Sequence, residues 1–413
     1  MQSHPLSWLP LRPMFLIGVL AIALSACEDT TPDSNAIDWD PAYRGTIVEA
    51  TLLESWTLDQ VDSLMTSLGL SFPINNGIDV YKLVYETIDP FGQPTVASGA
   101  VVVPTGASGP IPMAAYQHGT VILRDQVPSR QSYELTIGIL FGATGYMVSM
   151  ADYLGMGDSP GRHWYVHAHS QATAGIDMLR ASRAHIQNMS MTDNGQLFLF
   201  GYSQGGHASM AMHKELEERH ASEFSITASA PMSGPYDLAG AQTDMLLLDE
   251  PYASPFYLPY VLFGYNEIYG WYDAPSDYLK EPWATTLPPL FDGTHDGWEI
   301  NAIMPDVPKN IVRDDVFDEF VNDQANSPFY GALVDNSLLD WSPQSPMRMY
   351  YCTGDEQVLF ENALNARDAF LEKGIDVPAI NGETLSGSGP LDHGGCVEPV
   401  MLAAQLWFNS LVN

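Results

Sequence analysis

From about residue 78 onward this 413-residue chain alternates short apolar runs with helical stretches, and that alternation narrows the possible folds more than any other feature. The apolar runs are residues 111–117, 146–150, 197–200, 226–232 and 347–351; the helical stretches lie near 171–188, 205–220, 361–373 and 397–411. A strand followed by a helix and another strand returns to the same sheet through a crossover. The pattern therefore predicts an α/β fold, a mostly parallel sheet with helices on both faces. Ahead of it, residues 78–88 and 96–103 flank Asp89-Pro90-Phe91-Gly92, as expected of an antiparallel hairpin, and residues 379–385 can supply a last strand. Between Asp237 and Pro346 the rhythm breaks into a stretch crowded with prolines and aromatics, among them Tyr252, Phe256, Tyr257, Tyr260 and Trp271. It is too long for a structureless loop and reads as a large inserted cap, partly helical, with an apolar underside.

The chain begins with a segment of a different kind. Arg12 precedes an apolar run from Met14 to Leu24, about half of the ~20 residues a spanning helix needs, and small residues then lead to a cysteine. This is the shape of an export signal. Leu24-Ser25-Ala26-Cys27 resembles the bacterial lipobox, which implies lipidation of Cys27 and a membrane-anchored, exported protein. Glu28 at the next position resembles the pattern that lets a lipoprotein travel on to the outer membrane or cell surface. The expected organisation is a signal peptide over 1–26, a lipidated tether and N-terminal segment over 27–60, a core in two parts over 61–237 and 347–413, and the cap over 238–346.

Charge narrows the partners. With 16 Lys+Arg against 50 Asp+Glu the formal charge is −34, a field that repels phosphate backbones, so nucleic acid is not an expected partner. Once Cys27 is spent on lipid, only Cys352 and Cys396 remain, in a compartment that permits disulfides, and they are expected to pair.

The strongest chemical signal follows the run 197–200, where Gly201-Tyr202-Ser203-Gln204-Gly205 leads straight into helical sequence. A sharp strand-to-helix turn exposes the Ser203 hydroxyl, the small neighbours Gly201 and Gly205 make room for it, and the N–H of Gln204 can donate to an oxyanion. A serine hydroxyl is barely nucleophilic at neutral pH, so a histidine must take its proton and a carboxylate must orient that histidine. Around a nucleophile elbow in an α/β sheet, serine, acid and histidine follow in that chain order. Of the eleven histidines only His393 lies beyond the last candidate strand. Asp355 stands at the carboxyl end of 347–351 and is the expected acid; Glu356 is its rival, with Asp376 and Asp392 further off. A Cys352–Cys396 bridge would lie three residues from each of Asp355 and His393 and pin their two loops together. The second oxyanion donor is expected from Gln117-His118-Gly119-Thr120, as the N–H of Thr120, with His118 orienting the loop. His207 is expected to pack under the elbow. His163, His167 and His169 cluster before a helix but lack the carboxylate spacing of a metal site, so no metal and no cofactor is expected.

Residues 151–159, the stretch 172–183, the elbow 201–206 and Gly354-Asp355-Glu356-Gln357-Val358 are similar to the secretory lipases of the fungal lipase-A type and their bacterial relatives. The resemblance spans most of residues 78–413 and implies an α/β-hydrolase fold with an inserted cap. It also implies hydrolysis of a small-molecule or lipid ester by Ser203, Asp355 and His393. A serine peptidase, an acyltransferase or a non-catalytic surface-binding lipoprotein are the alternatives.

Overall fold

The computed structural model describes residues 38–69 and 73–413; the signal segment, Cys27 and residues 28–37 of the tether lie outside the described residues. The strands are β1 (Ile47–Trp56), β2 (Gly77–Ile88), β3 (Pro94–Thr105), β4 (Ile111–Gln117), β5 (Met147–Ala151), β6 (Asp193–Tyr202), β7 (Ile226–Met232), β8 (Met349–Tyr351) and β9 (Ala379–Asn381). They form one sheet in the order β1-β2-β3-β5-β4-β6-β7-β8-β9. Pairing is antiparallel from β1 to β5 and parallel from β5 through β4 to β9. Outside the insertion the helices are α1 (Leu58–Ser67), α2 (Leu135–Ala143), α3 (Ala168–Asn188) and α4 (Gln204–Arg219), with α11, α12 and α13 given below.

The central strands are buried on both faces, which explains their continuous apolar runs; all seven residues of β4 are buried. Their alternate side chains sort into two cores. Met113 and Ala115 face α3 and α4, whereas Ala114 and Tyr116 face α2 and the C-terminal helix. The β2–β3 hairpin turns on Asp89, whose Oδ1 accepts from the N–H groups of Phe91 and Gln93, with Gly92 at φ 74°.

Between β7 and β8 the chain makes a helical insertion: α5 (Ala241–Leu246), α6 (Tyr257–Tyr269), α7 (Trp283–Thr286), α8 (Gly297–Asn301), α9 (Asp314–Asn322) and α10 (Pro328–Asn336). Its apolar side chains, Phe256, Tyr260, Phe291 and Phe320 among them, form a third core. That core closes on Ile122, Tyr165 and Val166 from loops at the carboxyl ends of the strands. After β8 come α11 (Glu361–Glu372), α12 (Gly382–Ser386) and α13 (His393–Asn409).

Four local departures from the sequence reading have physical causes. The sheet starts at Ile47, inside the segment expected to precede the core, because β1 is an edge strand exposed along most of its length and shows no alternation. Helix α2 is apolar nearly all round and buried, so it carries no amphipathic period. The last strand stops at Asn381, whose side chain accepts from the Glu383 N–H and starts a helix instead. Finally, α13 begins at His393 rather than near residue 397, because the Asp392 side chain accepts from the Gly395 N–H and caps the helix four residues earlier.

Cys352 and Cys396 form the expected disulfide across a sequence separation of 44, and both are fully buried. In chain-entropy terms a closure of this length stabilises the fold by roughly 4 kcal/mol.

Candidate active site

Ser203 stands alone between the last residue of β6 and the first of α4, at φ 59° and ψ −123°. Positive φ at a residue with a side chain costs about 1–3 kcal/mol and persists only where the surroundings impose it. Here its N–H donates to the Met232 carbonyl (3.0 Å) and its carbonyl accepts from the Gly206 N–H (2.8 Å). The glycines flanking the turn are required by backbone approach. A Cβ on Gly205 would stand 1.9 Å from the Gln117 carbonyl oxygen, and one on Gly201 2.2 Å from that of Gly205. The Ser203 hydroxyl makes no hydrogen bond among the described residues and borders an apolar cavity that Gln204, Tyr257, Leu258, Phe320 and Val358 also line.

The loop after β4 lies against this turn. A Cβ on Gly119 would be 3.9 Å from Ser203 Cβ, and Thr120 Oγ1 shares a hydrogen bond with the Tyr165 hydroxyl (2.9 Å). Neither the N–H of Thr120 nor that of Gln204 makes a hydrogen bond among the described residues. His118 packs against Tyr153 with the rings tilted (4.2 Å between ring centres), and its ring nitrogens face the carbonyls of Gly119 and Asp152.

The loop after β8 supplies the carboxylate. Asp355 Oδ1 accepts from the N–H groups of Gln357 (3.0 Å) and Val358 (2.8 Å), and Oδ2 accepts from His393 Nδ1 at 2.7 Å. The carboxylate at Nδ1 fixes the ring so that Nε2 is the nitrogen left to take a proton. Glu356, the rival acid, instead accepts the main-chain N–H of His393 (2.9 Å). Partial burial pushes its carboxyl upward, but that N–H, its own backbone and Gln357 outweigh burial and hold it below the usual glutamate range. Tyr202, just before Ser203, donates its hydroxyl to the His393 carbonyl (2.6 Å), and the two rings lie 5.0 Å apart. The histidine is thus tied to the elbow as well as to Asp355.

The three clustered histidines separate. His167 accepts from the Ser170 N–H at the start of α3, His169 packs edge-on against Trp39, and His163 turns toward Gln204. His207 is fully buried beneath the elbow.

Several site residues have no signal in the sequence. Tyr257 of α6 donates to Gln357 Oε1 and Tyr252 to the Gln357 carbonyl, both at 2.8 Å, so the insertion grips the turn that carries Asp355. Gln171 is another, lying directly beneath Gln204. Their partners are 33 to 105 residues away, and no local spacing marks such a contact.

The family model for secretory lipases matches residues 130–242. Among solved structures, the rice cell wall degrading esterase LipA from Xanthomonas oryzae is 30% identical, over 90% of this chain and 96% of that one, with a TM-score of 0.77. A Legionella pneumophila protein is 27% identical over 88% and 98% of the two chains, with a TM-score of 0.79. Candida antarctica lipase A in its closed state shares the fold at 16% identity, a TM-score of 0.63 and coverage of 89% and 81%. No match was found among curated proteins.

Proposed function

We propose that this chain, which belongs to the secretory lipase family of α/β-hydrolases, is a serine carboxylic-ester hydrolase acting on apolar acyl or aryl esters through an acyl-enzyme. The observation that carries the reading is a serine held at φ 59° against the Gly119 loop, with the main-chain N–H groups of the neighbouring Gln204 and Thr120 making no hydrogen bond among the described residues. Donors left unspent beside a nucleophile are what a developing oxyanion requires.

In this mechanism Ser203 Oγ attacks the ester carbonyl while His393 Nε2 takes its proton, and Asp355 holds the ring and stabilises the imidazolium. The oxyanion rests on the N–H groups of Gln204 and Thr120. The alcohol leaves with the proton from His393. Water, deprotonated by the same imidazole, then attacks the acyl-enzyme and releases the acid with Ser203 restored. The apolar walls of the cavity favour a hydrocarbon acyl or aryl group and exclude water from it. Export with lipidation at Cys27 belongs to the same reading, and the mass of the mature N-terminus tests it.

A series of p-nitrophenyl esters from acetate to octanoate tests the substrate class. Each methylene buried in the cavity contributes about 0.8 kcal/mol, so kcat/KM is expected to rise up to about fourfold per added carbon over the first few carbons. A flat profile would remove the cavity from acyl recognition, and cleavage of chromogenic peptides but not esters would replace this reading with a peptidase.

A further inference from the structure

Beneath the elbow runs a chain of four polar side chains, each no more than 4% exposed. Gln204 Nε2 donates to His163 Nε2 (2.7 Å) and to Gln171 Oε1 (2.9 Å). Gln171 Nε2 donates to His207 Nδ1 (3.1 Å), and His207 Nε2 donates to the main-chain carbonyl of Asn336 (2.9 Å), the last residue of α10.

Two carbonyls set every direction in the chain. His163 Nδ1 faces the Leu154 carbonyl at 2.9 Å, which can only accept, so Nδ1 carries the proton and Nε2 must accept from Gln204. At the far end the Asn336 carbonyl can only accept, so His207 carries its proton on Nε2 and Nδ1 must accept from Gln171. Both amides are thereby oriented, and both imidazoles are neutral. Burial favours that state, lowering each to about 4.

None of these four side chains takes part in the proton transfers of ester hydrolysis. Gln204, however, follows the strained serine, and its N–H is one of the two oxyanion donors of the mechanism above. All the hydrogen bonds of its side chain belong to this chain of groups. We propose that His163, Gln171 and His207 are positioning residues: they hold Gln204, and with it the donor N–H of the elbow, where the tetrahedral intermediate needs it. Asn336 carries that hold into the helical insertion, where its amide donates to the Tyr269 hydroxyl of α6 (2.9 Å). The proposal rests on the serine-esterase reading.

The test uses the full chain and p-nitrophenyl butyrate. His163→Met and Gln171→Met remove the acceptors for Gln204, whereas His163→Gln keeps one near the position of Nε2. Displacing one oxyanion donor is expected to lower kcat roughly tenfold in both Met variants with KM within about twofold of wild type. His163→Gln should recover most of the loss. The relay is overturned if kcat stays within about twofold in the Met variants. It is equally overturned if KM changes in step with kcat, or if His163→Gln recovers nothing. Should the Met variants fail to fold, Gln171→Glu keeps an acceptor for Gln204 and replaces the donor facing His207 with a buried carboxylate oxygen, so that His207 Nδ1 loses the bond it accepts. A severalfold lower kcat at unchanged KM then supports the relay, and an unchanged kcat overturns it. Failure of the esterase reading is seen separately, as absence of ester turnover in the wild-type protein.

Discussion

Ser203→Ala is expected to lower kcat/KM on p-nitrophenyl esters by about 10⁴–10⁶ and to abolish labelling by a fluorophosphonate probe, with the melting temperature little changed. The two halves of this expectation have separate causes. The hydroxyl is the attacking group in the proposed mechanism, so no covalent intermediate can form without it. It also makes no hydrogen bond among the described residues, so its removal strands no buried partner. Alanine keeps the Cβ and therefore the same backbone strain at φ 59°. Esterase activity within tenfold of wild type would take Ser203 out of the chemistry. A collapse in stability would show that the serine holds the elbow together.

The second large effect separates two adjacent carboxylates. Asp355→Asn is expected to lower kcat by roughly 10³–10⁴, because an amide can donate toward Nδ1 and favour the tautomer that carries the proton on Nε2. An imidazole in that form cannot accept from Ser203. Glu356→Gln should stay within about tenfold, since an amide oxygen still accepts the His393 main-chain N–H and the ring is untouched. Parallel kinetics of the two variants decide the matter: equal losses, or the larger loss at 356, would exchange the two assignments.

Much of the fold was legible because the central strands are covered on both faces and read as apolar runs; the expected bounds 111–117 and 226–232 coincide with β4 and β7. Edge strand β1 and the largely buried α2 were not, since one is exposed along most of its length and the other is apolar nearly all round. At the site, the partnership of Asp355 with His393 could be foreseen because chain order and a cysteine pair both pointed to it, and the structure joins those two side chains at 2.7 Å. The helical start of His393 turned on a single cap by Asp392, a choice the apolar pattern from residue 397 onward does not register. The contacts of Gln171, Tyr257 and Gln357 could not be foreseen. Each is made only after distant segments have packed, and a glutamine or tyrosine carries no local sign of which remote group it will meet.

Strands β7 and β8 are parallel neighbours in the sheet, with Met232 opposite Tyr350, so the helical insertion belongs to the crossover that leaves the carboxyl end of β7 and enters β8 at its amino end. Such a segment behaves as a cassette: it can be lengthened, shortened or exchanged without moving the register of any strand beneath it. Preference for one ester over another can then diverge between descendants while the machinery that breaks the bond is inherited unchanged. A graft still has obligations to the core, among them contacts with the loops that carry Val121, Val166 and Ala168. It must bring a main-chain acceptor for His207 where the Asn336 carbonyl now stands, and hydroxyls to replace those of Tyr252 and Tyr257 on the Gln357 turn.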